Sequence, residues 1–111
     1  VRRLYEFLQG AQGPVMVLNS EKLIEHINPE GEDVTGMRES TAQGTSLLDS
    51  ARDQGFAATV IDLCDQSANN EGTDQSEVYE LTGKNYALHV TSLMGKDNFA
   101  KAFYITFVMD D

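Results

Sequence analysis

Two periods of apolar and polar residues run along this chain, and the change from one to the other divides it into elements. Over residues 1–9, Leu4, Phe7 and Leu8 recur at helical spacing. Gly10 and Gly13 end the helix they predict, and Pro14 prevents its resumption. Val15-Met16-Val17-Leu18 reads as a strand over residues 14–19; Asn19-Ser20-Glu21-Lys22 turns, and residues 23–27 return to make a hairpin. Asn28-Pro29-Glu30 opens a helix of about two turns. Asn28 can accept a backbone N–H as the cap, and Pro29 suits a first helical position that needs no N–H. Glu30, Glu32 and Asp33 fall at the positive end of its dipole, and Gly36 offers a left-handed stop.

Residues 37–52 are polar and predict only short helical turns around Ser46-Leu47-Leu48. From 53 to 69 the period is helical: Phe56, Ala57, Val60, Ile61, Leu63, Cys64 and Ala68 share one face, opposite Thr59, Asp62, Asp65, Gln66 and Asn69. Strands follow over 76–81, 86–94 and 99–109, with a turn at Thr82-Gly83-Lys84-Asn85 and a polar loop at Gly95-Lys96-Asp97-Asn98. This order predicts an α+β layout with an antiparallel sheet. Residues 102–109 are apolar at both alternating positions, so both faces of the last strand should be covered, by the N-terminal helix or by a partner chain.

Composition narrows the functions. The chain has 111 residues, enough for one domain, and its net charge of −10 argues against nucleic acid and against direct contact with an anionic membrane. One cysteine excludes an internal disulfide framework, and no apolar run approaches the ~18 residues of a membrane-spanning helix. Val1 in place of Met suggests a segment of something longer.

Chemical motifs are scarce. Phosphate-loop, dinucleotide, zinc-protease and nucleophile-elbow patterns are absent, and no metal site is expected. The acidic run Asp53, Asp62, Asp65, Glu71, Asp74, Glu77 and Glu80 reads as a solvated face. Cys64, on the apolar face of the long helix, reads as inert packing, its neighbours Asp62 and Asp65 opposing a thiolate. His26 and His89 are lone strand histidines. A small Cys64–His enzyme is the least favoured reading, and no catalytic residue is assigned.

The element order, with Ile24-Glu25-His26-Ile27-Asn28-Pro29 and Val34-Thr35-Gly36, resembles the PAS family of sensory domains. The resemblance covers residues 13–111. It implies a five-stranded antiparallel sheet with helices on one face, residues 53–69 as the connecting helix and residues 1–12 as an N-terminal flanking helix. It also implies a small pocket between that connecting helix and the sheet, walled by Val60, Ile61, Cys64, Tyr86, Leu88 and Ile105, with His89 or Thr91 as polar anchor. A one-residue slip of register would exchange these walls.

Departures from the family bear on cofactor. The region of 44–53 lacks the cysteine of light-sensing members, residues 56–69 lack the histidine of many haem-binding members, and there is no Trp. A chromophore is not expected, and the cofactor stays unassigned; a small metabolite or no ligand remains. The resemblance thus implies a non-catalytic module that binds a small ligand, or merely dimerises, to relay a signal to effector domains elsewhere in the parent chain. Gly13-Pro14-Val15-Met16-Val17-Leu18-Asn19 resembles chemotaxis-receptor PAS segments, and a sensor histidine kinase is the other parent. A cytoplasmic module is expected, in a parent that could itself be membrane-anchored, forming a homodimer through residues 1–12 and the sheet face.

Overall fold

One asparagine joins the first hairpin to the first helix. In the computed structural model, which describes residues 13–110, β1 (Val15–Asn19) and β2 (Ile24–Ile27) pair antiparallel, Met16 opposite Ile27. The helix expected over residues 1–12 lies outside the described residues, as does Asp111. Asn19 builds the turn, its side-chain oxygen accepting from Glu21 N–H at 2.8 Å and Leu23 N–H at 3.0 Å.

Asn28 then caps α1 (Pro29–Thr35): its Oδ1 accepts from Gly31 N–H at 2.8 Å and also from Val15 N–H at 2.9 Å. Its Nδ2 donates to the Gly13 carbonyl at 2.9 Å, so one side chain ties helix, hairpin and chain entry together. Gly36 closes the helix at φ 73°, as its sequence position predicts.

The polar stretch holds two single-turn helices, α2 (Glu39–Ala42) and α3 (Leu47–Ser50). The second matches the expectation; α2 carries no apolar period and is held instead by Glu39, whose N–H reaches Glu32 Oε2 at 2.8 Å while its own Oε1 accepts from Ile27 N–H. The long helix is α4 (Gln54–Asn69), capped by Asp53 through Phe56 N–H at 3.1 Å. It ends at Asn70, after which Glu71 and Gly72 take positive φ of 60° and 82°.

The remaining strands are β3 (Gln75–Leu81), β4 (Lys84–Met94) and β5 (Ala100–Met109). β3 and β4 meet at a two-residue turn, Thr82 (φ 53°) and Gly83 (φ 80°), whose paired positive φ values suit the twist of a hairpin. The sheet order is β2-β1-β5-β4-β3, antiparallel throughout, so the chain's first and last strands are neighbours at the centre. α4 packs across β3, β4 and β5 on one face, with α1 to α3 around its edge. The expected α+β architecture, five antiparallel strands with these helices on one side, is what the chain forms.

Burial of the other face is graded. On β1, Val15 and Val17 are fully buried although they point away from α4; on β5, Ala102, Tyr104 and Thr106 are half-buried and Val108 is 53% exposed. Two-sided burial therefore holds for β1 and fails at the end of β5.

Candidate functional site

Side chains of a strand alternate between faces, and the register of the sheet decides which of the expected pocket residues can meet. Tyr86, Leu88 and Val90 of β4 point toward α4, opposite Phe107 and Ile105 of β5. From α4, Val60 and Cys64 descend onto them. Val60, Cys64, Leu88 and Ile105 are each 0% exposed, Tyr86 is buried, and Ile61 sits half-buried at the cluster's margin. Six of the seven expected residues thus belong to one interior region.

His89 does not join them. It neighbours Leu88 and must face the other way, where Asp74 takes its Nδ1 at 3.0 Å. Thr91, the other anchor considered, lies on that outer face as well. The interior has no histidine anchor.

What fills the interior is a set of rings that the expected pocket residues alone do not include. Phe56 stacks on Phe107 with centroids 5.8 Å apart, and Tyr86 meets Phe107 edge-on at 6.5 Å. Tyr79 packs against Phe56 at 6.3 Å. The apolar face of α4 and the alternation of β5 carry the signal for these contacts; the pairing register is what the sequence lacks.

Cys64 is a closed thiol. Burial pushes its pKa up to about 12, with Asp65 adding to the rise and Lys22 opposing it. At neutral pH it is protonated, and it has no histidine as hydrogen-bond partner: His26 engages Glu39, and His89 engages Asp74. Chemically it is packing material.

Three polar links set α4 on the sheet. Asp53, at the cap, accepts from the Tyr79 hydroxyl at 2.7 Å, and this bond, followed by Phe56 N–H, holds the Asp53 carboxyl below its ordinary value. Midway, Asp65 pairs with Lys22 at 3.1 Å, whose ammonium also lies 5.6 Å from the centre of the Phe103 ring. Near the C-terminal end Ser67, fully buried where the sequence points to Ala68, donates to Thr73 O at 2.7 Å and accepts from Ser92 Oγ at 2.8 Å. The acidic run is therefore not only a solvated face: Asp53, Asp65 and Asp74 each hold a partner.

A concavity of about 410 Å³ opens on the outer face, lined by Asp74, His89 and Thr91 and by Tyr104, Thr106 and Val108. Among the described residues, no group of three or more His, Cys, Asp or Glu side chains is arranged to hold a metal ion.

No protein-family model matches the chain, and no curated protein matches it in sequence. Solved structures do match in shape. A domain of an HTR-like protein from Haloarcula marismortui aligns with TM-score 0.71 at 15% identity, over 88% of this chain and 97% of that one. A sensory box sensor histidine kinase from Vibrio cholerae aligns with TM-score 0.72 at 14% identity, over 99% and 91%. The PAS domain of BvgS from Bordetella pertussis aligns with TM-score 0.69 at 15% identity, over 98% and 88%. The fold of this chain is the PAS fold.

Proposed function

We propose that this PAS-fold chain is a non-catalytic relay module of a larger signalling protein, its interior filled by its own side chains. The sealed interior is the supporting observation: Val60, Cys64, Leu88 and Ile105 expose no surface, and Phe56, Tyr86 and Phe107 occupy the space between α4 and the sheet. A small ligand there would have to displace a packed aromatic group, at the cost of contacts the core already makes. Signal would pass instead as a shift between two arrangements of a homodimer built on residues 1–12 and the outer sheet face. The similarity to a sensor histidine kinase supports that kind of parent, and the Gly13–Asn19 segment keeps a chemotaxis receptor beside it; in either, the module would work in the cytoplasm.

Thermal unfolding in the presence of a broad metabolite panel tests the reading. A ligand at a hundred times its Kd stabilises the folded chain by about 2.7 kcal/mol, a large rise in Tm for a domain of this size. The expected outcome is no rise. A metabolite that raises Tm and shifts the signals of Val60, Leu88 and Ile105 would replace the relay reading with a ligand-binding sensor.

A further inference from the structure

A groove of about 170 Å³ lies where the end of α1 faces the α2–α3 segment, apart from the interior and from the outer sheet face. Arg38 and Arg52 line it, both exposed, together with Thr41, Ser50 and the buried Met37 and Ala42. The Thr41 hydroxyl donates to the Arg38 carbonyl at 3.2 Å, and the Ser50 hydroxyl bonds the Thr45 hydroxyl. The two arginines are brought to one groove because the intervening backbone folds back on β2: Ile24 N–H donates to Thr45 O at 2.8 Å, and Gly44 N–H donates to Ile24 O at 2.7 Å. Gly36 leaves room for the Arg52 guanidinium, whose Nη1 lies 4.0 Å from where a Cβ would stand.

Lys22 and Lys101 have acidic partners, whereas Arg38 and Arg52, like Lys84 and Lys96, form no ion pair among the described residues. Three carboxylates near the two arginines in sequence, Glu32, Glu39 and Asp53, are engaged elsewhere. Glu32 accepts from Glu39 N–H, Glu39 accepts from Ile27 N–H and pairs with His26, and Asp53 accepts from Tyr79. Asp49, the exposed acid of α3, pairs with neither arginine. Two guanidiniums that line one groove and have no ion pair among the described residues present the donors that recognise an oxyanion. The groove is well below the ~300 Å³ at which drug-sized pockets begin, so the occupant must be small.

We propose that this groove binds a small oxyanion, a phosphate or a short carboxylate, through Arg38 and Arg52. The site is separate from the interior and stands whether or not the interior takes a ligand. Its test is a titration of the chain with sodium phosphate and, separately, with sodium succinate, ionic strength being fixed with sodium chloride. The signals to follow are the amides of Gly36, Thr41 and Arg52 and the guanidinium N–H groups. Saturable shifts confined to the groove are expected; phosphate, succinate or both saturating identifies the oxyanion. The R38Q/R52Q variant should bind roughly tenfold more weakly or worse, as expected for losing charge-assisted hydrogen bonds. R38K/R52K, which keeps the charges and loses the planar forks, should fall between and guards against a folding defect in the first variant. Shifts reproduced by chloride alone, saturation by neither probe, or affinity unchanged in R38Q/R52Q would overturn the proposal.

Discussion

Asn28 shows how much a single residue can carry beyond its local role. Its position before Pro29 predicts a helix cap, and a cap alone is worth about 1 kcal/mol. The structure adds the bonds to Val15 N–H and Gly13 O, at 2.9 Å each, which a truncated side chain would leave unpaired in partly buried surroundings. Asn28→Ala is therefore expected to cost about 2–3 kcal/mol in urea unfolding; a loss near 1 would mean that only the cap matters. The Tyr79–Asp53 bond makes a pH prediction. Tyr79 holds the Asp53 carboxyl below its ordinary value in the folded chain, so the bond stabilises fully above the unfolded value, about 3.9, and is lost as pH falls through the lower folded value. Tyr79→Phe should thus lower the urea midpoint at pH 7, and the gap to the parent chain should narrow toward pH 2. A gap that does not change with pH would show that the carboxylate is not what Tyr79 engages. Asp53 and Tyr79 are far apart in sequence, and nothing local announces their pairing.

At the scale of elements, what is legible in the sequence is whatever is encoded locally. The Asn28-Pro29 start, the Gly36 stop, the helical period of 53–69 and the hairpin turns each rest on neighbouring residues, and each element stands within a residue or two of its expected bounds. The short α2 is not legible, because a side chain twelve positions from Ile27 holds it rather than any apolar repeat. Nor is the facing of β4: the expected pocket takes in both Leu88 and His89 although neighbours on a strand cannot share a face, and only the pairing of His89 with Thr106 and Leu88 with Phe107 divides them. The same register places Phe107 under Phe56, which makes that contact the joint between α4 and the sheet. Phe56→Ala should cost about 3–5 kcal/mol, the usual range for removing a buried ring, read from urea unfolding. A cost below about 1 kcal/mol would mean that α4 seats itself on the sheet without this ring.

For the whole molecule, assembly turns on what meets the outer face of the sheet. Its burial runs from complete at Val15 and Val17 to about half at Val108 (53% exposed) and Val78 (52% exposed), which stand in one cross-strand row with Ala87 between them. An apolar row left open on the outer face of the sheet is where a second copy would add most by burying it. A symmetric pair, each copy setting residues 1–12 and this row against its mate, closes the contact on itself. It should remove about 800 Å² from each chain, a standard interface. The charge of −10 on each copy opposes the approach, so added salt should tighten the dimer by screening. Sedimentation at micromolar concentration is the measurement, on the intact chain, on residues 13–111 and on Val108→Glu. A dimer is expected for the first alone, strengthened by salt. If the intact chain is a monomer at every salt concentration, the relay has no dimer to act through. If all three dimerise equally, copies meet on another surface, and neither residues 1–12 nor the Val78–Val108 row forms the contact.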